Sequence, residues 1–285
     1  MTRLKIGGVP EHFNLPWRLA IEEGDFKSSD IELHWSDMTG GTGQMIKGLQ
    51  NGSIDVAVLL TEGITRAILQ GLDAKILMPY VVTPLHWGIH VPYESTITEF
   101  NQLKNKIFAI SREGSGSHLM TYIKAHQKGW KNDDFSFNVV GDIYGGLWAL
   151  QNNAAQGFLW EKYTTQPYTE QKKCRLIDEV ITPWPCFVIA ARNEILQKQK
   201  SVLQDVCTIV HKRAEEVKKN KTAPENIAWR YNLNVLDAEN WLNETDWNYH
   251  NNLDIYSFEN VVSTLTELEL ISKIQSINWQ QKLFL

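Results

Sequence analysis

Cysteine is scarce in this chain. Cys174, Cys186 and Cys207 are odd in number and show no CxxC spacing, which excludes a disulfide framework and a thiolate metal centre. Long apolar runs are also missing: VAVLL at 56–60 and CFVIAA at 186–191 fall far short of the ~20 residues that span a bilayer, so no membrane insertion is expected. Positive charge is not in excess either. With 28 Lys and Arg against 33 Asp and Glu the formal net charge is -5, and a nucleic acid partner is not expected. Neither GxGxxG after a strand nor a phosphate loop ending in Gly-Lys-Ser/Thr occurs, and HExxH, GxSxG and SxxK are absent, so neither a cofactor, a metal nor a catalytic motif is indicated. The opening MTRLKIGGV reads as a strand and leaves no room for a secretory leader. As written, the chain is expected in the cytoplasm, and in the periplasm if a native leader was removed.

What is present is a long α/β pattern. The 285 residues, 43% hydrophobic and 21% charged, can fill two lobes with buried cores. Residues 4–9 read as a strand, Pro16 opens a helix that Gly24 closes, and 31–35 is the next strand. After the turn cluster SDMTGGTG, the apolar face of Met45, Ile46 and Leu49 marks a helix, and 54–60 a strand buried on both sides. The frame then repeats. Asp37, Gly40, Gly41, Leu49, Gln50 and Asn51 correspond to Asp142, Gly145, Gly146, Leu150, Gln151 and Asn152, the second copy being one helical turn shorter. With a strand at 107–110 and a helix at 119–129, two βαβαβ units are predicted. Proline-bearing β-rich stretches, MPYVVTPLHWGIHVP and ITPWPCFVIAAR, suit passage between lobes. Beyond Arg192 the pattern turns helical, with Val202, Leu203, Val206, Ile209, Val210 and Val217 on one face, and HKRAEEVKKNK is expected to be a solvated face.

In open parallel sheets ligands bind outside the carboxyl ends of the strands. Six loops qualify: 8–14, 37–42 and 61–65 from the first unit, 111–117, 142–146 and 161–165 from the second. Thr39, Gly40, Gly41 and Thr42, and opposite them Ser111, Ser115, Gly116 and Ser117, offer N–H groups and hydroxyls at helix starts. Simple helix capping explains the same residues. Glu62 and Glu161 each follow a buried strand and are expected to project toward a shared cleft, where a carboxylate pair favours an amine or an N–H heterocycle; capping of their own helices is an equal reading. His12 and His118 lie in or beside these loops. Trp17, Trp87, Trp148, Trp160 and Trp184 could supply flat walls, although most of the tryptophans are expected in the core; Trp184, between Pro183 and Pro185, is the best placed.

The segments KIGGVPEHFNLPWRLAIEEGDF, IELHWSDMTGGTGQMIKGLQNGSIDVAVLLTEG, SREGSGSH and GFLWEKYTT together resemble the type II periplasmic-binding-protein superfamily. The resemblance is to the nitrate, sulfonate and taurine solute-binding proteins of ABC transporters and to the related fungal thiamine-pyrimidine synthases. It implies two α/β lobes, each a mostly parallel sheet flanked by helices, joined by two crossover strands and closing on a small solute by hinge motion. Lobe I would hold 1–85 plus 188–285 and lobe II 88–184, with hinges near 80–92 and 182–190. Carried over by position, the ligand residues are Pro10, Glu11 and His12, the Thr39–Thr42 loop, Thr61, Glu62, Ser111–Ser117, Tyr144, Glu161 and Trp184. An ABC permease is then the implied partner. The pyrimidine synthases carry a cysteine-rich iron-binding stretch, where this chain has only Cys186 before Phe187. Menaquinone-pathway enzymes share the fold, so a cytosolic enzyme on this scaffold is the alternative.

Overall fold

The computed structural model of the chain describes residues 1–249 and 253–284. The chain forms two compact units: Met1–Pro84, Pro183–Tyr231 and Val235–Leu285 make the first, Leu85–Thr182 and Asn232–Asn234 the second.

The first unit opens with β1 (Thr2–Gly8), α1 (Leu15–Glu22), β2 (Ile31–Asp37), α2 (Gly41–Asn51), β3 (Val56–Leu60), α3 (Thr61–Leu69) and β4 (Ala74–Val81). Local chemistry sets these bounds. Pro16 sits in the first turn of α1, where its missing N–H costs nothing, and Gly52 ends α2 in the left-handed region at φ +74°. In β3, Val56, Ala57, Val58 and Leu59 are all buried, as a strand covered on both faces requires.

The second unit follows with β5 (His86–Pro92), β6 (Lys106–Ile110), α4 (Gly116–Gln127), β7 (Phe135–Val139), α5 (Ile143–Gln151), β8 (Gly157–Glu161), α6 (Lys162–Glu170) and β9 (Cys174–Ile181). The chain then returns to the first unit through β10 (Phe187–Arg192), followed by the helices α7 (Asn193–Lys198), α8 (Lys200–Lys219), α9 (Ala223–Tyr231), α10 (Val235–Glu244), α11 (Ile255–Glu267), α12 (Lys273–Ser276) and α13 (Trp279–Leu283).

The strand orders are β2-β1-β3-β10-β4 and β7-β6-β8-β5-β9. In the first sheet β1 runs parallel to β2 and β3, and β10 antiparallel to β3 and β4. In the second, β6 runs parallel to β7 and β8, and β5 antiparallel to β8 and β9. Each sheet therefore has one reversed strand, and in each it is the strand by which the chain enters from the other unit. The expected α/β lobes with mostly parallel sheets are present.

The repeated sequence frame is only partly a repeated structural frame. Asn51 is the last residue of α2 and Gln151 the last of α5, so Leu-Gln-Asn closes both helices. The front halves differ. Asp37 ends β2, whereas Asp142 caps α5 and accepts the Gly145 N–H at 2.9 Å.

One further expectation is corrected. The run 211–221 is not simply a solvated face: on α8 His211 is buried, and Arg213 holds the Asp25 carboxylate by bonds of 2.6–2.8 Å and reaches Glu23 at 2.7 Å. The three cysteines are buried. Among the described residues no helix is long and apolar enough to cross a membrane.

Candidate ligand-binding site

The carboxyl ends of β1, β2 and β3 deliver three loops to one edge of the first sheet. After β1, Pro10 is exposed, Glu11 half-buried and His12 buried. His12 stacks on Phe13 at 4.9 Å and meets the edge of Trp241 at 4.3 Å. Burial pushes its pKa down to about 3, so the ring is neutral across the physiological range. Gly8 is required by close approach, since a Cβ there would run into the Trp35 ring.

At the start of α2, Thr39 is exposed and the Gly40 N–H donates to Gln44 Oε1 at 2.8 Å. Gly41 takes a positive φ of +63° in open space. Thr42 is turned inward, its Oγ1 accepting the Leu60 N–H at 3.3 Å. It therefore ties α2 to the end of β3.

The start of α3 is the most densely bonded part of this edge. The Thr61 hydroxyl donates to the Pro185 carbonyl at 2.5 Å and the Thr61 N–H to the Cys186 carbonyl at 3.1 Å. The Trp184 indole N–H donates to Glu62 Oε2 at 2.9 Å. Glu62 is 3% exposed, and its Oε1 has no hydrogen-bond partner among the described residues. Burial raises its carboxyl to about 7, against the opposing effect of its own backbone N–H and of Trp184. Trp184, buried, belongs to the first unit.

In the second unit the 111–117 loop is folded on itself. Ser117 Oγ accepts the Ser111 N–H at 3.1 Å and lies 3.0 Å from Ser115 Oγ, which caps α4 through the His118 N–H. Gly116 is the buried first residue of that helix. The Gly114 N–H donates to His118 Nδ1 at 2.8 Å, making that nitrogen an acceptor. Tyr144 is exposed on α5 and meets Tyr168 edge-on at 6.3 Å. Glu161, 4% exposed, caps α6 by accepting the Thr164 N–H at 2.5 Å. Burial lifts its carboxyl to about 7, opposed by Thr164, Tyr163 and Lys162.

Glu62 and Glu161 are alike in burial but not in position. Leu60 caps α3 with φ −59° and ψ 134°, and Glu161 caps α6 with φ −56° and ψ 130°. Leu60 lies opposite Phe187 of β10, as Glu161 lies opposite Trp87 of β5. The structural counterpart of Glu161 is thus Leu60, and Glu62 stands two residues further on, inside its helix.

These features match known proteins as follows. Residues 87–180 match the family described as Ca3427-like PBP. The Candida albicans CA3427 gene product, which has the generic periplasmic binding protein fold, superposes with TM-score 0.93 at 25% identity over 100% of this chain and 96% of its own. The chain has the periplasmic-binding-protein fold. Two other proteins of this fold superpose at lower identity. The alkanesulfonate-binding protein SsuA from Xanthomonas axonopodis pv. citri, bound to MOPS, has TM-score 0.84 at 15% identity over 100% of this chain and 98% of its own. PhnD1 from Prochlorococcus marinus, in complex with methylphosphonate, has TM-score 0.64 at 14% identity over 95% and 99%. No curated protein matches the sequence.

Within this fold the sequence reading missed several residues at the same edge. Trp35 donates its indole N–H to Asp37 Oδ1 at 3.0 Å, and the Arg18 guanidinium sits 5.0 Å over the Trp35 ring while also pairing with Asp37. The two-residue spacing of Trp35 and Asp37, which places both on one face of a strand, was the available signal. Thr65 and Asn14 end two of the expected loops but were not singled out in them: both are buried, and Thr65 Oγ1 and Asn14 Oδ1 lack hydrogen-bond partners among the described residues. Trp17, one of the tryptophans that could supply a wall, is core beside Phe26, Trp35 and Tyr80. A cavity of about 440 Å³ lies at the opposite end of the first sheet, beside Asp73, Arg192 and Glu194. Arg192 there is engaged with Asp55 and Glu194.

Proposed function

We propose that this chain is a solute-binding protein that takes a small polar or heterocyclic metabolite with the carboxyl-end loops of both sheets and closes on it by motion at residues 80–92 and 182–190. The observation that carries the reading is the doubling of one strand order, with a buried carboxylate, Glu62 or Glu161, at the same edge of each sheet. Neighbours of the same fold, an alkanesulfonate-binding protein and a methylphosphonate complex among them, support small-molecule binding, and the carboxyl ends of parallel strands are where open sheets hold ligands. An ABC permease is the partner in this reading.

The test is a melting screen of the full chain against a broad metabolite panel, because a ligand held by the folded form raises stability by mass action. At least one compound should raise the melting temperature, and Glu62→Ala and Glu161→Ala should each weaken its binding about tenfold or more. A panel with no shift overturns the reading.

A second reading, an enzyme on this scaffold, is favoured by one observation. Both carboxyls are held at about 7, where a group can donate or accept a proton at neutral pH. His12, held neutral down to about 3, is removed as the acid. Turnover of a metabolite in cell extract, lost on Glu62→Gln with folding intact, would select this reading over simple binding.

A further inference from the structure

The two neighbours named above hold anions or a sulfonate buffer, and such ligands need cations or free N–H groups at helix N-termini. At two of its helix N-termini this chain has spent such groups on itself. At α5 the Gly145 N–H goes to Asp142 at 2.9 Å, and at α6 the Thr164 N–H goes to Glu161 at 2.5 Å. At α3 the first turn contains Glu62. Across the six loops Glu11, Asp37, Glu62, Glu113, Asp142 and Glu161 stand against Arg112 and Lys162, and Lys162 lies 3.4 Å from the Glu179 carboxylate.

An independent observation points to what is wanted instead. Glu62 Oε1 and Thr65 Oγ1 are buried and have no hydrogen-bond partner among the described residues. Three residues apart on α3, they share one helix face. A buried carboxylate oxygen left without a donor is costly, and a ligand N–H removes that cost. Trp184 already fills the other Glu62 oxygen and holds the carboxylate in place for it.

We infer that the ligand presents hydrogen-bond donors to Glu62 and Thr65, as an amine, an amidine or an N–H heterocycle would, and that oxyanions such as sulfonates and phosphonates are refused. This rests on the solute-binding reading and gives the ligand its charge class. The experiment is a melting and calorimetric screen of the full chain with probes matched in skeleton: benzylamine and benzamidine against benzenesulfonate and phenylphosphonate, and butylamine against butanesulfonate and butylphosphonate.

A shift confined to the nitrogen bases is expected. For the best of them Glu62→Gln should weaken binding at least tenfold and Thr65→Val severalfold, while Asp73→Asn, at the opposite end of the first sheet, leaves it unchanged. Gln keeps an acceptor for Trp184, so the melting temperature of the unliganded variant reports whether folding is intact. Binding of a sulfonate or phosphonate, abolished by Arg112→Gln and indifferent to Glu62→Gln, overturns the charge class and leaves solute binding standing. Silence from every probe counts against solute binding itself and takes this inference with it.

Discussion

The first sheet threads its strands as β2-β1-β3-β10-β4 and the second as β7-β6-β8-β5-β9, and with each reversed strand in the same place the two sheets share one strand order. Their polar edges differ. In the first unit the buried carboxylate is Glu62, inside α3 and held by a side chain from the returning crossover, Trp184. In the second it is Glu161, one step before α6 and held by the main chain of its own helix. The Gly-Gly pairs diverge in the same way. Gly41 faces open space with a positive φ, whereas a Cβ on Gly145 would strike the Val140 carbonyl and one on Gly146 the Phe158 ring. Backbone order is therefore the repeated element, and the chemistry of each edge is supplied afresh by whichever residue reaches it.

Substituting the glycines breaks this comparison most sharply. Gly145→Ala should cost about 3 kcal/mol, because a backbone carbonyl cannot yield as a side chain can. Gly41→Ala should cost only about 1 kcal/mol, the strain of a left-handed backbone in an open setting. Urea unfolding of both variants reads the difference, and equal costs would mean that the two pairs do one job.

The carboxylates come next. Glu62 titrates near 7 folded against 4.5 for an exposed glutamate, so its contribution is full below about pH 4.5 and is lost as pH rises through about 7. The neutral buried His12 and His90, with pKa values pushed down to about 3 and about 4 by burial, act with the opposite sign below about 6.5. The difference between wild type and variant isolates the carboxyl. Glu62→Gln should gain on wild type by on the order of 3 kcal/mol between pH 5 and pH 8. Glu161→Gln should gain less, since it gives up a charge-assisted bond from the Thr164 N–H.

Trp184→Phe removes the donor that holds Glu62 and should cost about 2 kcal/mol at pH 8, with less at pH 5 where the carboxyl is protonated. A loss independent of pH would show that Trp184 serves by packing alone. The smallest contrast is between the two aspartates of the repeat. Asp142→Ala loses a helix cap worth about 1 kcal/mol, whereas Asp37→Ala, half exposed beside Arg18, should change stability by about 0.5 kcal/mol or less in thermal unfolding.

Much of the fold was legible because it is written in periodicity. The continuous apolar run of β3, Pro16 in the first turn of α1 and the Leu-Gln-Asn endings of α2 and α5 each state their element locally. The edge of the sheets was legible as a set of loops, and Glu62 and Glu161 were named from their position in them, Trp184 from its place between two prolines of the crossover. Their partners were not. That Trp184 reaches Glu62 across 122 positions, or that Thr42 serves the Leu60 N–H, is fixed by strand pairing that local sequence does not record. The two-residue offset between Glu62 and the counterpart of Glu161 was hidden for the same reason, because each residue comes at the end of an apolar run and only strand register and the cap dihedrals separate them.

The central proposal is that the carboxyl-end loops bind a small ligand. Amide hydrogen exchange on the full chain, with and without a compound that raises its melting temperature, tests this most directly. Protection should appear in 61–65 of the first unit together with 161–165 of the second. Protection confined to the opposite end of the first sheet, around Asp73 and Arg192, would contradict the account.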